Sequence, residues 1–151
     1  MSYKRFSRHG GFSHAKTPYR SGLEDDLAEQ LKHKGVKVTY ESYSITYKIP
    51  EKDHVYTPDF VLPNGIIIEG KGLFDTQDRQ KHLFIKAQYP NLDIRFVFSN
   101  SNTKIRKGSK TSYGAWCDKY GFMYADKFIP EIWFYESKKN MKGLLKKIKK
   151  V

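Results

Sequence analysis

The segment from Thr57 to Lys71 constrains this chain more than any other. It reads Thr-Pro-Asp-Phe-Val-Leu, then Pro63-Asn64-Gly65, then Ile-Ile-Ile-Glu-Gly-Lys. Two apolar, strand-forming runs joined by three turn residues describe a hairpin. With Gly65 in the left-handed position, Leu62 pairs with Ile66, and counting back sets Asp59 opposite Glu69. Cross-strand partners have Cβ atoms about 4.5 to 5.5 Å apart, so two carboxylates confront each other beside a run of isoleucines. Strand alternation puts Lys71 on the face of Glu69 and turns Gly70 away.

Like charges so placed repel, and a divalent cation would remove the repulsion. Carboxylate oxygens are the hard ligands that Mg²⁺ or Mn²⁺ prefers. Such an ion lowers the pKa of an attacking water and polarises a phosphate, while a nearby ammonium stabilises the charge of the transition state. Asp59, Glu69 and Lys71 therefore point to phosphodiester hydrolysis. Lys71 is a poor general base, because adjacent carboxylates raise its pKa. The competing structural interpretation is a surface ion pair between Lys71 and Glu69, with Pro58-Asp59 merely opening a strand.

The charge distribution fits a polyanionic partner. The chain has 28 bases against 16 acids, a net charge of +12. Lys4, Arg5, Arg8, Lys16 and Arg20 lie in the first twenty residues without an acid, and seven lysines lie between 138 and 151, again without one. The remaining sixteen bases balance the sixteen acids of the body. Cationic ends around a neutral body attract nucleic acid and make binding salt-dependent. Lys104, Arg106, Lys107 and Lys110 add a second basic cluster in a polar loop.

No apolar run approaches the roughly 20 residues of a membrane-spanning helix, and the polar start lacks a signal-peptide core, so a cytosolic protein is expected. Leu144, Leu145 and Ile148 offer only one short amphipathic turn. The lone Cys117 has no zinc-spaced companions and reads as a small buried apolar residue. His9, His14, His33, His54 and His82 show no metal or triad spacing, and His54 and His82 are the best placed to neighbour the site.

The organisation expected is a flexible basic arm over 1–20, one folded α/β domain over 21–137 and a basic tail over 138–151. Ser21 and Glu24 have the form of a capping box at the head of a helix over about 22–34. Strands are expected over 36–40, 43–49, 56–62, 66–71 and 93–99, with a turn or bridge around Pro50. Asp75 or Thr76 caps a second helix to Gln88, and Ser112 a third to Tyr120, ended by Gly121. On the residues alone Glu24 is a cap that complements the helix dipole.

Pro58-Asp59 and Glu69-Gly70-Lys71 together resemble the motif of the PD-(D/E)xK nucleases. The match extends to Arg20-Ser21-Gly22-Leu23-Glu24, Tyr56-Thr57-Pro58-Asp59-Phe60, Leu62-Pro63-Asn64-Gly65-Ile66, Lys81-His82-Leu83 and Thr111-Ser112-Tyr113-Gly114. Over about 16–136 these resemble the four-way-junction-resolving endonuclease I family of T-odd coliphages. The resemblance implies a central mixed sheet flanked by helices and a homodimer that exchanges strands through a bridge at about 47–53, where Pro50 favours extended chain. It also implies two Mg²⁺ or Mn²⁺ ions per site and paired cuts in branched DNA, in the cytoplasm of the infected host. Asp59, Glu69 and the Gly70 carbonyl are then metal ligands, Lys71 is the catalytic lysine, and Glu24 is a further acid supplied across the dimer. The family carries Thr where Gly70 stands. Two rivals are a nuclease that reads duplex sequence and a non-enzymatic basic nucleic-acid-binding module.

Overall fold

A computed structural model describes residues 21–49 and 52–147. Lys4, Arg5, Arg8, Lys16, Arg20, Ile148 and the last lysines lie outside the described residues. Among the described residues are α1 (Gly22–His33), α2 (Thr76–Gln88) and α3 (Tyr113–Tyr120). The strands are β1 (Tyr43–Ile49), β2 (Lys52–Tyr56), β3 (Phe60–Val61), β4 (Ile67–Lys71), β5 (Ile94–Phe98), β6 (Met123–Asp126) and β7 (Lys146–Lys147). No described helix is long and apolar enough to cross a membrane.

The mixed sheet runs β3-β4-β5-β6. β3 pairs antiparallel with β4, and β4, β5 and β6 run parallel, with α2 and α3 as the two connections. Parallel strands need such crossovers, and they bring the C-terminal ends Lys71, Phe98 and Asp126 to one edge of the sheet. A smaller sheet, β2-β1-β7, lies beside it. Its hairpin is fastened to α2 by the Tyr89 hydroxyl, which donates to the Thr46 carbonyl at 2.6 Å.

Each helix starts as its cap residue dictates. Ser21, Asp75 and Ser112 accept the backbone N–H three residues on, and Gly121, at φ +76°, ends α3. Asp75, not Thr76, is thus the cap of α2. Strand alternation then splits the core in two. Ile67, Phe96 and Phe98 face an aromatic cluster with Phe74, Tyr113, Trp116 and Phe122, while Ile66, Ile68 and Val97 face Leu27 and Leu31 of α1. Each such side chain fully buried contributes about 1.5 to 3 kcal/mol. Cys117 is fully buried in the first cluster, where burial pushes its thiol up to about 12.

Two local expectations, at 36–40 and at 123–126, are corrected. Residues 36–40 form no strand: the Val36 N–H closes on the Leu31 carbonyl, and Val36 and Val38 instead pack against the α1 core. In the segment expected as a turn or bridge, 47–53, Tyr47 pairs with His54, Lys48 with Asp53 and Ile49 with Lys52 within the single chain. Buried Ile45 and Tyr56 hold that register, and Tyr47 lies against His54. Residues 50 and 51 lie outside the description. Finally, 123–126 is a strand that no alternation announced, because as an outer strand it is only partly covered.

Arg95, 2% exposed, anchors the C-terminal segment to β5. It donates to both carboxylate oxygens of Asp93 and of Glu136 and lies 5.0 Å from the Trp133 ring centroid. This pairing holds Asp93 and Glu136 below their ordinary values, against burial.

Candidate active site

The turn at the head of β4 places the site. Gly65 adopts φ +88°, its N–H reaches the Leu62 carbonyl at 2.8 Å, and Leu62 N–H reaches Ile66 at 2.8 Å. Phe60 pairs with Ile68 and Val61 with Ile67. Continued one step, that register faces Asp59 with Glu69, although the regular strand stops at Phe60. Asp59 turns its carboxylate into the ladder instead, accepting the Gly70 N–H on Oδ2 at 3.0 Å.

Glu69 is 3% exposed and Asp59 9%. Burial raises the pKa of Asp59 first, and the charges of Glu69 and Glu24 raise it further, opposed by the Gly70 N–H. Burial also raises Glu69, opposed by Lys71, Tyr56 and Lys81. Two buried carboxylates this close do not both ionise without a cation.

Glu24, Glu41, Asp59, Glu69, Lys71 and Lys81 line one cleft of about 330 Å³. The Lys71 ammonium is 3.3 Å from Asp78 Oδ1. Burial works against its charge, but Glu69, Asp78 and Asp59 outweigh burial and raise its pKa. It is therefore a cation at neutral pH, not a base.

Glu24 fills both parts open to it. Its backbone N–H takes the Ser21 cap at 3.2 Å, while its side chain, 7% exposed, turns inward and accepts from the Tyr40 hydroxyl. The structure brings Glu24 to Asp59 within a single chain. Glu41, which sequence reasoning missed, joins them: ligand oxygens of Glu24, Glu41 and Asp59 lie within 4.8 Å of one another. Glu41 sits at φ +45° and its N–H donates to the Asp59 carbonyl at 3.2 Å. Its local sequence, Tyr-Glu-Ser, carries no signal for this placement.

The donor set fits a hard divalent cation. It is all oxygen, its charges repel, and Lys71 and Lys81 alone do not balance four carboxylates. Gly70 faces α1: a Cβ there would meet Leu27 Cδ1 at 3.1 Å, so any larger residue requires that leucine to give way.

Other predicted residues separate from this group. His82 is fully buried, caged by Tyr56, Phe74, Phe96 and Phe122, and burial depresses its pKa well below the ordinary value. It supports Tyr56 from beneath and does not enter the cleft. His54 lies in the β2 hairpin. Lys104, Arg106, Lys107 and Lys110 are exposed on the loop leaving the C-terminal end of β5. The start of that loop is tied to the site strand, since Ser99 N–H donates to the Lys71 carbonyl at 3.1 Å. A larger groove of about 1420 Å³ lies between the 61–65 turn and residues 136–145. Its lining carries one carboxylate, Glu136, already paired with Arg95, so no comparable chemistry gathers there.

Comparison with known proteins defines the class: this chain is a nuclease. It belongs to the phage endonuclease I family, whose sequence model matches residues 5–151. It is 58% identical over 123 residues to Endodeoxyribonuclease 1 of Enterobacteria phage T3, covering 82% of this chain and 81% of that protein. It is 55% identical over 123 residues to Endonuclease I of Escherichia phage T7, covering 82% and 83% respectively.

Proposed function

We propose that this nuclease is a metal-dependent endodeoxyribonuclease that resolves four-way junctions and other branched DNA in the cytoplasm of the infected host. The observation that carries the hydrolytic reading is the buried, facing pair Asp59 and Glu69 with Lys71 on the same strand face. Asp59, Glu69 and the Gly70 carbonyl would hold Mg²⁺ or Mn²⁺, with Glu24, and by its position Glu41, toward a second ion. A bound ion supplies a hydroxide-like nucleophile at neutral pH and neutralises phosphate charge.

The chain's own groups do the rest. Lys71, kept protonated by its carboxylate neighbours, donates to the phosphate oxygens as negative charge builds. Asp78 holds that ammonium at 3.3 Å. The exposed cations of the 104–110 loop and the basic ends of the chain, Lys4, Arg5, Arg8, Lys16 and Arg20 among them, bind backbone phosphates at a distance from the cut.

Junction resolution needs two cuts, and therefore two sites held together. In this reading two chains exchange strands by opening the connection between Ile49 and Lys52, and the contacts now made within one chain, including Glu24 with Asp59, are made between chains. Mixing Glu24→Ala with Asp59→Ala chains tests it. A verified heterodimer then has one doubly damaged and one intact site, so nicking of one strand is expected to return; no recovery argues for sites within single chains.

Cleavage itself is tested with an immobile four-way junction and a linear duplex of the same sequence at equal salt. With Mg²⁺ the junction is expected to be cut at least about a hundred-fold faster, a difference of ~2.7 kcal/mol in transition-state stabilisation. With Ca²⁺ it is expected to be bound but not cut. Equal cutting of both substrates would favour a sequence-reading duplex nuclease, and no cutting of either would leave a basic binding module.

A further inference from the structure

Two lysines reach the cleft, and they differ in how they are held. Both approach the same oxygen, Asp78 Oδ1, Lys71 at 3.3 Å and Lys81 at 3.9 Å. Asp78 is itself fixed. It lies in the first turn of α2, its N–H donates to Asp75 Oδ1 at 2.9 Å, and the positive end of the helix favours its charge. The two ammonium groups share Asp78 and also face Glu69. Lys71, the more buried at 17% side-chain exposure, makes the hydrogen bond. Lys81, at 30%, stands beyond hydrogen-bond distance and is placed instead over the Tyr56 ring, its Nζ 5.5 Å from the centroid. An ammonium positioned by an aromatic face keeps its N–H donors available for an anion.

We propose that Lys81 is a second substrate-binding cation of the active site, contacting a backbone phosphate beside the one that Lys71 serves. The inference rests on the nuclease reading of the cleft. It explains why a residue one turn into α2 faces the acids of β3 and β4, when a solubilising lysine would face water. The weak pair with Asp78 contributes little to stability, since a partly exposed ion pair at 3.9 Å is close to neutral.

The test measures DNA binding in Ca²⁺ across a salt series for wild type, Lys81→Gln and Lys81→Arg. Lys81→Gln is expected to bind roughly ten-fold more weakly, with the slope of log affinity against log salt reduced by about 0.9. Lys81→Arg is expected to restore both, and melting temperatures to stay unchanged. A neutral methylphosphonate walked through the phosphates flanking the cut is expected to abolish the Lys81→Gln penalty at one position. An unchanged salt slope, or a penalty equal at every methylphosphonate position, overturns the proposal. The readout is independent of turnover: a wild type that binds DNA with this signature but never cuts it would remove the nuclease reading and leave the contact standing.

Discussion

Glu69→Gln is expected to lower the cleavage rate by more than about a thousand-fold while leaving DNA affinity within a few-fold of wild type. Glu69 sits 3% exposed with Asp59 across from it, and burial raises the pKa of both. Affinity, by contrast, comes mainly from exposed cations on phosphates, which the substitution does not touch. Glutamine is nearly isosteric with the protonated acid and removes a charge that burial opposes, so the metal-free variant should melt no lower than wild type. Lys71→Ala is expected to cause a loss of similar size for a different reason, since among the described residues lining the cleft Lys71 is the more buried of the two cations. Single-turnover rates and Ca²⁺ binding curves separate these effects. Turnover at the wild-type rate by either purified variant would contradict the site.

Phe74→Ala should produce the largest loss of stability, about 3 to 5 kcal/mol. Phe74 is fully buried where the chain leaves β4 for α2, with ring centroids of Phe96 at 4.8 Å, Trp116 at 5.0 Å, Phe98 at 5.4 Å and Tyr113 at 5.7 Å. Its backbone N–H also donates to the Tyr113 hydroxyl at 3.2 Å. Rings from β5 and α3 therefore close on one residue that cannot be replaced by collapse of a neighbour. Out of a typical total of about 5 to 15 kcal/mol, such a loss leaves a marginal domain. Urea denaturation reads it as a lower midpoint; a change under about 1 kcal/mol would show that the cluster repacks.

The hairpin at residues 57–71 was legible in the sequence because turn chemistry fixes register locally. Gly65 with a positive φ and the Leu62–Ile66 closure are consequences of three residues, and the facing of Asp59 with Glu69 follows by counting. Capped helices were legible for the same reason. What depends on tertiary context was not. Val36 and Val38 have strand-forming side chains, but the chain turns back on α1 at Val36, and they serve as core filling. The 123–126 strand lacks alternation because β5 covers it on one edge only. Glu41 reaches the cleft through a left-handed turn and a backbone bond to Asp59, and neither has a residue-type signature. Glu24 was ambiguous because capping uses its N–H and the cleft uses its carboxylate, and the sequence alone shows one residue for both.

The central claim is that the repulsion between Asp59 and Glu69 is there to be relieved by a divalent cation, and calorimetric titration of Mn²⁺ into the purified protein tests it directly. Burial and its acidic neighbours push Asp59 up to about 10, so at pH 7 the metal-free pair retains a proton that the cation must displace. Binding is therefore expected to tighten as pH rises from 6 toward 9, to show heats that depend on the buffer's ionisation enthalpy, and to weaken at least about ten-fold in Glu69→Gln and in Asp59→Asn. Absence of Mn²⁺ binding to the wild type, or binding unchanged by both substitutions, would contradict the account.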